Sequence, residues 1–243
     1  MKTHQKSTKK HLSKACSLSI LGIFLFVVIG VFGIRAVHYS PAKPIVIDHH
    51  NLTQSQASSL QAVAVSIGDV QFFLADLPSI HHRIAQLSWV GDVSVRRDWQ
   101  QGVVVSVVPR RAVANFGSQH LLDANGQVFV PADEHELMDP SLVRLYGSHS
   151  KDADKIMKQM RQINEWFSPL GIKAWDVTLT ARQTWLIRFD NGLRVIVDHE
   201  NTDQKLYTLA LLLQNSLAKE LPKIHSVDLR YKNGFAVAWR ESH

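Results

Sequence analysis

The segment Trp185-Leu186-Ile187-Arg188-Phe189-Asp190-Asn191-Gly192-Leu193-Arg194-Val195-Ile196-Val197 decides the fold of the larger part of this chain. Bulky apolar residues recur at every second position on both sides of its centre, which is typical of strands that bury one face. Asp190-Asn191-Gly192 lies at that centre, and these residue types favour the tight turns that join antiparallel strands. The segment therefore predicts a β-hairpin with one face in a hydrophobic core.

Amphipathic helices are predicted on both sides of this hairpin, from about Asp152 to Phe167 and from about Asp203 to Lys219. Their apolar stripes are Ile156, Met160, Ile163 and Phe167 in the first helix, and Leu206, Leu209, Leu213 and Leu217 in the second. Ser168-Pro169-Leu170-Gly171 is expected to end the first helix and Pro222 the second. Each helix can cover one face of a sheet.

Further strands are predicted before and after these helices. Trp175, Val177 and Leu179 alternate with polar residues, and Asp123-Ala124-Asn125-Gly126 predicts a turn between two short strands. A last hairpin is expected from three apolar residues on each side of a turn at Lys232-Asn233-Gly234, where Gly234 would allow a positive φ. Those residues are Val227, Leu229 and Tyr231, then Phe235, Val237 and Trp239. Residues 113–243 thus predict an antiparallel sheet with two flanking helices.

Residues 45–112 predict a smaller domain of order β-α-α-β-β. A strand begins near Pro44-Ile45-Val46-Ile47, and a helix runs from Thr53, its possible N-cap, to Ala64. A second helix spans Asp76 to Leu87 with Ile80, Ile84 and Leu87 on one face. Strands Val93–Arg97 and Val103–Val108 follow. This order suits a three-stranded sheet covered by two helices, so the fold class is α+β.

An uncharged run of 20 residues, Ala15 to Ile34, precedes a short linker at 35–44. As a helix the run would be about 30 Å long, the thickness of a bilayer's hydrocarbon core. The tail at 1–14 carries five lysines, so the positive-inside rule places it in the cytoplasm and the bulk outside. A cleaved signal peptide is the alternative, but its apolar core would be shorter and followed by a cleavage site.

The charge distribution and the cysteine content limit the classes of partner and of chemistry that are expected. The five lysines before the run belong to 27 basic residues in all, and the 22 that follow nearly balance 21 acidic ones. The basic character therefore indicates contact with anionic lipid rather than nucleic acid. The single cysteine, Cys16, lies at the start of the apolar run, so neither a disulfide nor thiol chemistry is expected in the exported part.

No enzymatic, cofactor or metal site is predicted. Asp133-Glu134-His135-Glu136 and Asp198-His199-Glu200 contain ligand residue types, but consecutive loop residues rarely converge on one ion, and zinc-site spacing is missing. The pairs His49-His50 and His81-His82 are interpreted as surface residues. Phosphate-binding glycine loops and nucleophile-elbow motifs are also missing. A catalytic triad scattered along the chain would leave no such trace and stays open.

Three segments resemble one protein family. Leu87-Ser88-Trp89-Val90-Gly91-Asp92-Val93-Ser94-Val95-Arg96-Arg97-Asp98-Trp99 is similar to its LPWV…VRRxWP motif, and Leu179-Thr180-Ala181-Arg182-Gln183-Thr184-Trp185 is a second match. The most specific is Val227-Asp228-Leu229-Arg230-Tyr231-Lys232-Asn233-Gly234-Phe235-Ala236-Val237-Ala238-Trp239, similar to VDLRY…GxAVxW. The chain resembles the bacterial FtsQ/DivIB cell-division family throughout. It departs from the pattern at Gln100, Pro109 and Ala112, and it lacks the usual glycine near Ile47-Asp48-His49-His50.

The resemblance implies a POTRA domain at 45–112, a β domain at 113–243 and a non-enzymatic scaffold in the inner membrane at the division septum. It implies that the β domain binds FtsB, paired with FtsL, that the POTRA domain contacts other division proteins, and that septal peptidoglycan synthesis is controlled. Independently, the last strand is expected at a sheet edge, where another chain can add a strand. The implied contact residues are Arg182, Arg230, Tyr231, Gly234, Phe235 and Trp239.

Several readings compete with these. Val227, Leu229 and Val237 are expected in the core, and Trp239 suits core and interface equally. Arg182 and Arg230 can be solvated charges or partners of carboxylates. At the level of function, a POTRA-type chaperone for exported polypeptides is the alternative, and an anchored periplasmic hydrolase is a third possibility. Binding of unfolded outer-membrane proteins would favour the chaperone interpretation. Activity of the chain on cell-wall material would favour the hydrolase interpretation.

Overall fold

This computed structural model describes residues 25, 27–31, 33–35, 41–232 and 234–241. Residues 25, 27–31 and 33–35 are helical. The predicted cytoplasmic tail and most of the predicted membrane helix at 15–34 lie outside the described residues. Among the residues that are described, no helix is both long and apolar enough to span a bilayer.

The chain divides into two compact units. One contains the described residues of 1–50, 57–84 and 93–106, and the other those of 51–56, 85–92 and 107–243. The expected division into domains at 45–112 and 113–243 stays a prediction.

The first unit is centred on a three-stranded sheet, as predicted. The elements that lie wholly or mainly in this unit, numbered from residue 41 onward, are β1 (Ala42–Lys43), β2 (Val46–Ile47), α1 (Gln54–Ile67), β3 (Val70–Gln71), α2 (Leu77–Ala85), β4 (Val90–Asp98) and β5 (Gly102–Pro109). The sheet has the order β2-β5-β4. Strands β1 and β3 form an additional two-stranded sheet. The sequence did not predict it, because strands of two residues leave no alternation to detect.

Both predicted helix starts in this part are confirmed. Thr53 Oγ1 accepts the N–H of Gln56 at 3.3 Å, while Gln56 Oε1 accepts the N–H of Thr53, which together form a capping box at α1. Asp76 accepts the N–H of Ser79 at the start of α2. Ile80 and Ile84 are buried, as their spacing indicated.

The second unit contains a nine-stranded sheet within the described residues, in the order β14-β13-β12-β11-β10-β9-β6-β7-β8. Its strands are β6 (Ala112–Phe116), β7 (His120–Asp123), β8 (Val128–Phe129), β9 (Val143–Gly147), β10 (Ala174–Leu179), β11 (Trp185–Phe189), β12 (Arg194–Val197), β13 (Ile224–Asp228) and β14 (Ala236–Trp239). Its helices are α3 (Ala153–Phe167) and α4 (Thr202–Asn215).

This sheet is mixed, so the prediction of an antiparallel sheet was wrong for three pairings. Strand β9 is parallel to β6 and to β10, and β12 is parallel to β13. Two of these pairings follow from helical crossovers, since α3 joins β9 to β10 and α4 joins β12 to β13, and such a crossover returns the chain in the same direction. Strand β9 instead reaches β6 after the antiparallel strands β7 and β8. The predicted hairpin of β11 and β12 is antiparallel, with Ile187 opposite Val195.

The core lies between the sheet and the two helices. Ile156, Ile163 and Phe167 of α3 and Leu206, Leu209 and Leu213 of α4 are at most 1% exposed. Phe167 packs on Phe189 of β11 with ring centroids 4.6 Å apart. The predicted helical stripes and strand alternation therefore meet in one core.

Three local expectations fail. A β-bulge between Ala174 and Asp176 shifts the alternation of β10, so Ala174 is buried and Trp175 only half-buried. Helix α4 ends at Asn215, well before Pro222, where Ser216 and Leu217 both donate to the carbonyl of Leu212. The last hairpin is shorter than predicted because β13 ends at Asp228 and β14 begins only at Ala236, and the described residues between them, 229–232 and 234–235, are not in a strand.

Candidate functional site

Strand β14 lies at the edge of the nine-stranded sheet, where an edge strand was predicted. It pairs only with β13 among the described residues, with Val227 opposite Val237 and Asp228 opposite Ala236. Val237 is half-buried against the core, and Trp239 is 53% exposed. The outer side of β14 is therefore available to another strand.

The N–H groups that face outward on β14 can be assigned from its end. The N–H of Arg240, directly after β14, donates to the carbonyl of Lys223 at 2.7 Å, on the inner side. Because N–H groups along a strand alternate between its two sides, those of Ala238 and Ala236 point toward β13. Those of Val237 and Trp239 point to the open edge.

The side chain of Arg240 ties this edge to the rest of the sheet. Its Nη2 donates to the carbonyl of Asn191 at 2.7 Å, in the turn between β11 and β12, and its Nε donates to the carbonyl of Ile224 at 3.2 Å. Sequence reasoning missed this role, because nothing in the pattern after Trp239 indicates a contact with a turn about 50 residues earlier.

The loop between β13 and β14 forms one wall of a groove of about 320 Å³, and α4 forms the other. Tyr231, Gly234 and Phe235, three of the predicted contact residues, lie on the loop side. Thr208 and Leu212 lie on the α4 side. Tyr231 is 58% exposed and Phe235 is 40% exposed. The lining also includes the polar residues Gln204, Lys205 and Lys232. The groove adjoins the start of β14, so a strand added there would have a mixed apolar and polar surface beside it.

Leu229 and Tyr231 lie in different environments, and the expectation from the sequence was Leu229 in the core and Tyr231 among the contact residues. Leu229 is 5% exposed, and its N–H donates to the carbonyl of Ile196 at 2.8 Å. The strand ends at Asp228, and the alternation ends with it.

Arg230 is an exposed residue that is already paired. Its Nη2 donates to Asp228 Oδ2, and its Nε contacts both carboxylate oxygens at 2.9 and 3.1 Å. These hydrogen bonds hold the pKa of the Asp228 carboxyl below its usual range and raise the pKa of Arg230. A solvated, unpaired Arg230 is therefore not what the structure contains, although the guanidinium keeps one side open to solvent at 54% exposure.

Arg182 is exposed in the turn between β10 and β11, where it forms no ion pair with a described residue. The sheet register puts this turn at the same end of the sheet as the loop between β13 and β14, since Trp185 pairs with Val197, and Ile196 with Asp228. Three strand spacings separate the turn from the loop, or roughly 14 Å. Arg182 thus lies on the same end of the sheet but outside the groove.

The structure therefore brings together Tyr231, Gly234 and Phe235, with Arg230 beside them. Trp239 lies at the opposite end of β14, where it pairs with Ile224. The α4 wall of the groove was not predicted as part of the site. Leu212 has the apolar spacing of a helix face, but sequence alone does not indicate which loop packs beside it.

The polar segments considered as ligand candidates form local pairs. His135 Nδ1 lies 2.8 Å from Asp133 Oδ1, and this contact raises the pKa of His135. Asp198 pairs with Lys205 at 2.7 Å. Across the described parts of the chain, no group of three or more His, Cys, Asp or Glu side chains is arranged to hold a metal ion.

The fold and the site define a class: an α+β protein whose mixed sheet ends in an open strand beside a groove of mixed apolar and polar lining. A family model described as "Cell division protein FtsQ/DivIB, C-terminal" matches residues 111–230. The cell division protein FtsQ of Acinetobacter oleivorans is 34% identical over 237 residues, covering 96% of this chain and 82% of the relative.

Two further relatives carry the same name. That of Alcanivorax borkumensis is 28% identical, covering 83% of this chain and 77% of the relative. That of Coxiella burnetii is 24% identical, covering 98% and 96%. The chain belongs to the FtsQ family, and its role is in bacterial cell division.

Proposed function

We propose that this chain is a non-enzymatic scaffold of the division machinery that binds the FtsB–FtsL complex through β14 and helps control septal peptidoglycan synthesis. Residues 15–34 anchor it in the inner membrane, with the lysine-rich tail in the cytoplasm and the rest in the periplasm at the septum. The first unit, as a POTRA domain, contacts other division proteins.

The observation that carries this proposal is the open edge of β14. Outward N–H groups at Val237 and Trp239 can bond to the carbonyls of an added strand. The groove beside the loop supplies the apolar contacts that an edge alone lacks. Backbone bonds give affinity, and the side chains beside them give specificity.

The predicted residues divide into three roles. Tyr231, Gly234 and Phe235 receive apolar side chains of the partner in the groove. Trp239 contacts the far end of the added strand. Arg182 and the open side of the Arg230 guanidinium pair with partner carboxylates, and Asp228 keeps Arg230 in place.

Two proline substitutions in β14 test strand addition. Val237→Pro removes an outward N–H and leaves the inward bonds to β13, so we expect loss of FtsB–FtsL binding with a largely intact fold. Ala238→Pro is the matched control: it removes an inward N–H and should destabilise the β13–β14 pairing itself. Binding is measured by titration of the purified FtsB–FtsL complex, and folding by circular dichroism. Normal binding by a folded Val237→Pro chain would refute strand addition at this edge.

The septal role is tested by depletion. Cells that lose the protein should form long filaments without septa, and a fluorescent fusion should concentrate at mid-cell. Cells of normal length with uniform envelope fluorescence would contradict the proposed location and favour an assembly or chaperone role.

A further inference from the structure

Three aromatic side chains of the first unit form an exposed cluster, which we call the aromatic cluster: Phe72, Phe73 and Trp99. Phe72 lies 4.8 Å from Trp99 between ring centroids, Phe73 lies 5.0 Å from Phe72, and Phe73 lies 6.1 Å from Trp99. Trp99 is 81% exposed and Phe73 is 45% exposed. The rings thus contact one another, and Phe73 and Trp99 stay exposed while Phe72 is half-buried.

The aromatic cluster is held in place by polar contacts beneath it. Arg97 donates from Nε to the carbonyl of Phe72 at 2.7 Å and from Nη2 to that of Ala75 at 2.9 Å. Asp98 accepts the N–H groups of Gln100 and Gln101, which fixes the turn that carries Trp99. An exposed apolar surface that the protein holds rigid calls for a partner that covers it.

The surroundings of the aromatic cluster suit a lipid headgroup region. A groove of about 230 Å³ adjoins it, lined by Pro41, Lys43, Val70, Phe72, Phe73, Trp99 and Gly102. Lys43 is the charged residue of this lining, and no acidic side chain is among these described residues. Leu74, next to Phe73, is 53% exposed. Aromatic rings with a nearby cation are the composition that concentrates at membrane interfaces.

The length of chain after the apolar run limits how far the aromatic cluster can be from the membrane. Seven residues, 35–41, separate Ile34 from Ala42, the first residue of β1. Fully extended, this connection spans at most about 28 Å. Strand β1 pairs with β3, with Lys43 opposite Val70, and Phe72 and Phe73 follow β3 directly. If Ile34 ends the membrane helix, the aromatic cluster is therefore confined near the bilayer surface.

We infer that the aromatic cluster inserts into the interface of the outer leaflet and holds the first unit against the membrane, with Lys43 at the lipid phosphates. This inference rests on the proposed membrane anchor at 15–34, which it extends by a second membrane contact. The occupant is the lipid surface itself, because a connection of at most about 28 Å keeps these residues within its reach whatever proteins are nearby.

Lipid-dependent quenching of tryptophan fluorescence tests this in the full-length chain. The chain is reconstituted in two sets of nanodiscs that differ only in bromine atoms on the lipid acyl chains near the headgroups. Bromine quenches tryptophans that contact it, and the apolar run contains no tryptophan that could contribute. We expect quenching in wild type, its loss in Trp99→Phe, and its retention in Trp239→Phe. Trp239, in the second unit, is 53% exposed and serves as the matched control.

The outcomes separate this inference from the anchor. Resistance to extraction by alkaline carbonate would show that the chain is anchored. If, in that anchored chain, Trp99 is quenched by aqueous iodide and not by lipid bromine, the aromatic cluster is in water and the inference is overturned. A surface for another protein would then be the alternative. Extraction by carbonate would instead refute the anchor, on which the inference depends. Trp99→Phe keeps an aromatic ring, and an unchanged circular dichroism spectrum verifies that it folds.

Discussion

At the scale of single residues, a substitution at Gly234 should affect partner binding without affecting the stability of the fold. A Cβ added at Gly234 meets no described atom within 4 Å. We therefore expect Gly234→Ala to leave the melting temperature unchanged while the methyl group occupies the groove and weakens FtsB–FtsL binding. A titration of both chains with the complex measures this.

The matched comparison is Tyr231→Ala, which removes a groove contact instead of filling the groove. Loss of the Tyr231 side chain should weaken the binding free energy by roughly 1–2 kcal/mol. Because Tyr231 is 58% exposed, its loss should have little effect on the stability of the fold. If either substitution lowered the melting temperature strongly and left binding intact, the residue would belong to the fold and not to the interface.

Asp228 gives the site a defined pH dependence. The Arg230 guanidinium holds the pKa of Asp228 below its usual range, so the ionised carboxylate is favoured by folding. A lowered folded pKa contributes stability above the unfolded pKa, about 3.9, which is lost as pH falls through the folded value. We expect the difference in melting temperature between wild type and Asp228→Asn to be constant from pH 8 to 5 and to shrink below about pH 4.

Arg230→Gln removes the same pair from the other side and should reproduce this pH dependence. A difference that persisted unchanged at low pH would mean that the Asn side chain disturbs the loop for another reason.

Sequence reasoning identified Arg230 as a functional cation. It could not find its partner, because alternation put residues 228 and 230 on one strand face and did not predict that the strand ends between them.

At the scale of elements, Arg240 determines how firmly β14 is attached. Arg240→Ala removes its side-chain hydrogen bonds to Asn191 and Ile224, at a cost of about 1 kcal/mol for partly exposed bonds. We expect faster hydrogen exchange at the amides of Ala236 and Ala238, with global unfolding little changed. Lys232→Ala, on the exposed loop nearby, is the control. Equal exchange in both variants would show that the β13–β14 pairing does not need Arg240.

The elements that the sequence predicted well are those with strong local signals. Helix α3 and the hairpin of β11 and β12 have long periodic stripes and clear turn residues, and both were predicted almost to the residue. The parallel pairings and the bulge at Ala174 depend on contacts between distant segments, which no local pattern encodes. The end of α4 is local, because Ser216 and Leu217 both donate to the carbonyl of Leu212 before the proline that was expected to end the helix. The edge position of β14 was predicted correctly, whereas the groove was not, since its second wall comes from α4.

At the scale of the whole molecule, the proposed topology depends on the five lysines before the apolar run. Substituting Lys2, Lys6, Lys9, Lys10 and Lys14 by Gln leaves Arg35 and Lys43 as the nearest cations, on the other side of the run. Because the flank richer in Lys and Arg stays in the cytoplasm, we expect part of the population to insert in reverse. A C-terminal alkaline phosphatase fusion, active only outside the cytoplasm, should lose activity in proportion.

Substitution of the same five lysines by Arg is the matched control, which keeps the charge and should keep full phosphatase activity. If the Gln chain kept full activity as well, orientation would be set by translocation of the folded bulk rather than by the tail. The binding edge and the aromatic cluster both depend on this result. In a reversed chain β14 would face the cytoplasm, so the depletion phenotype should appear in cells that carry only the Gln chain, even though its second unit is unchanged.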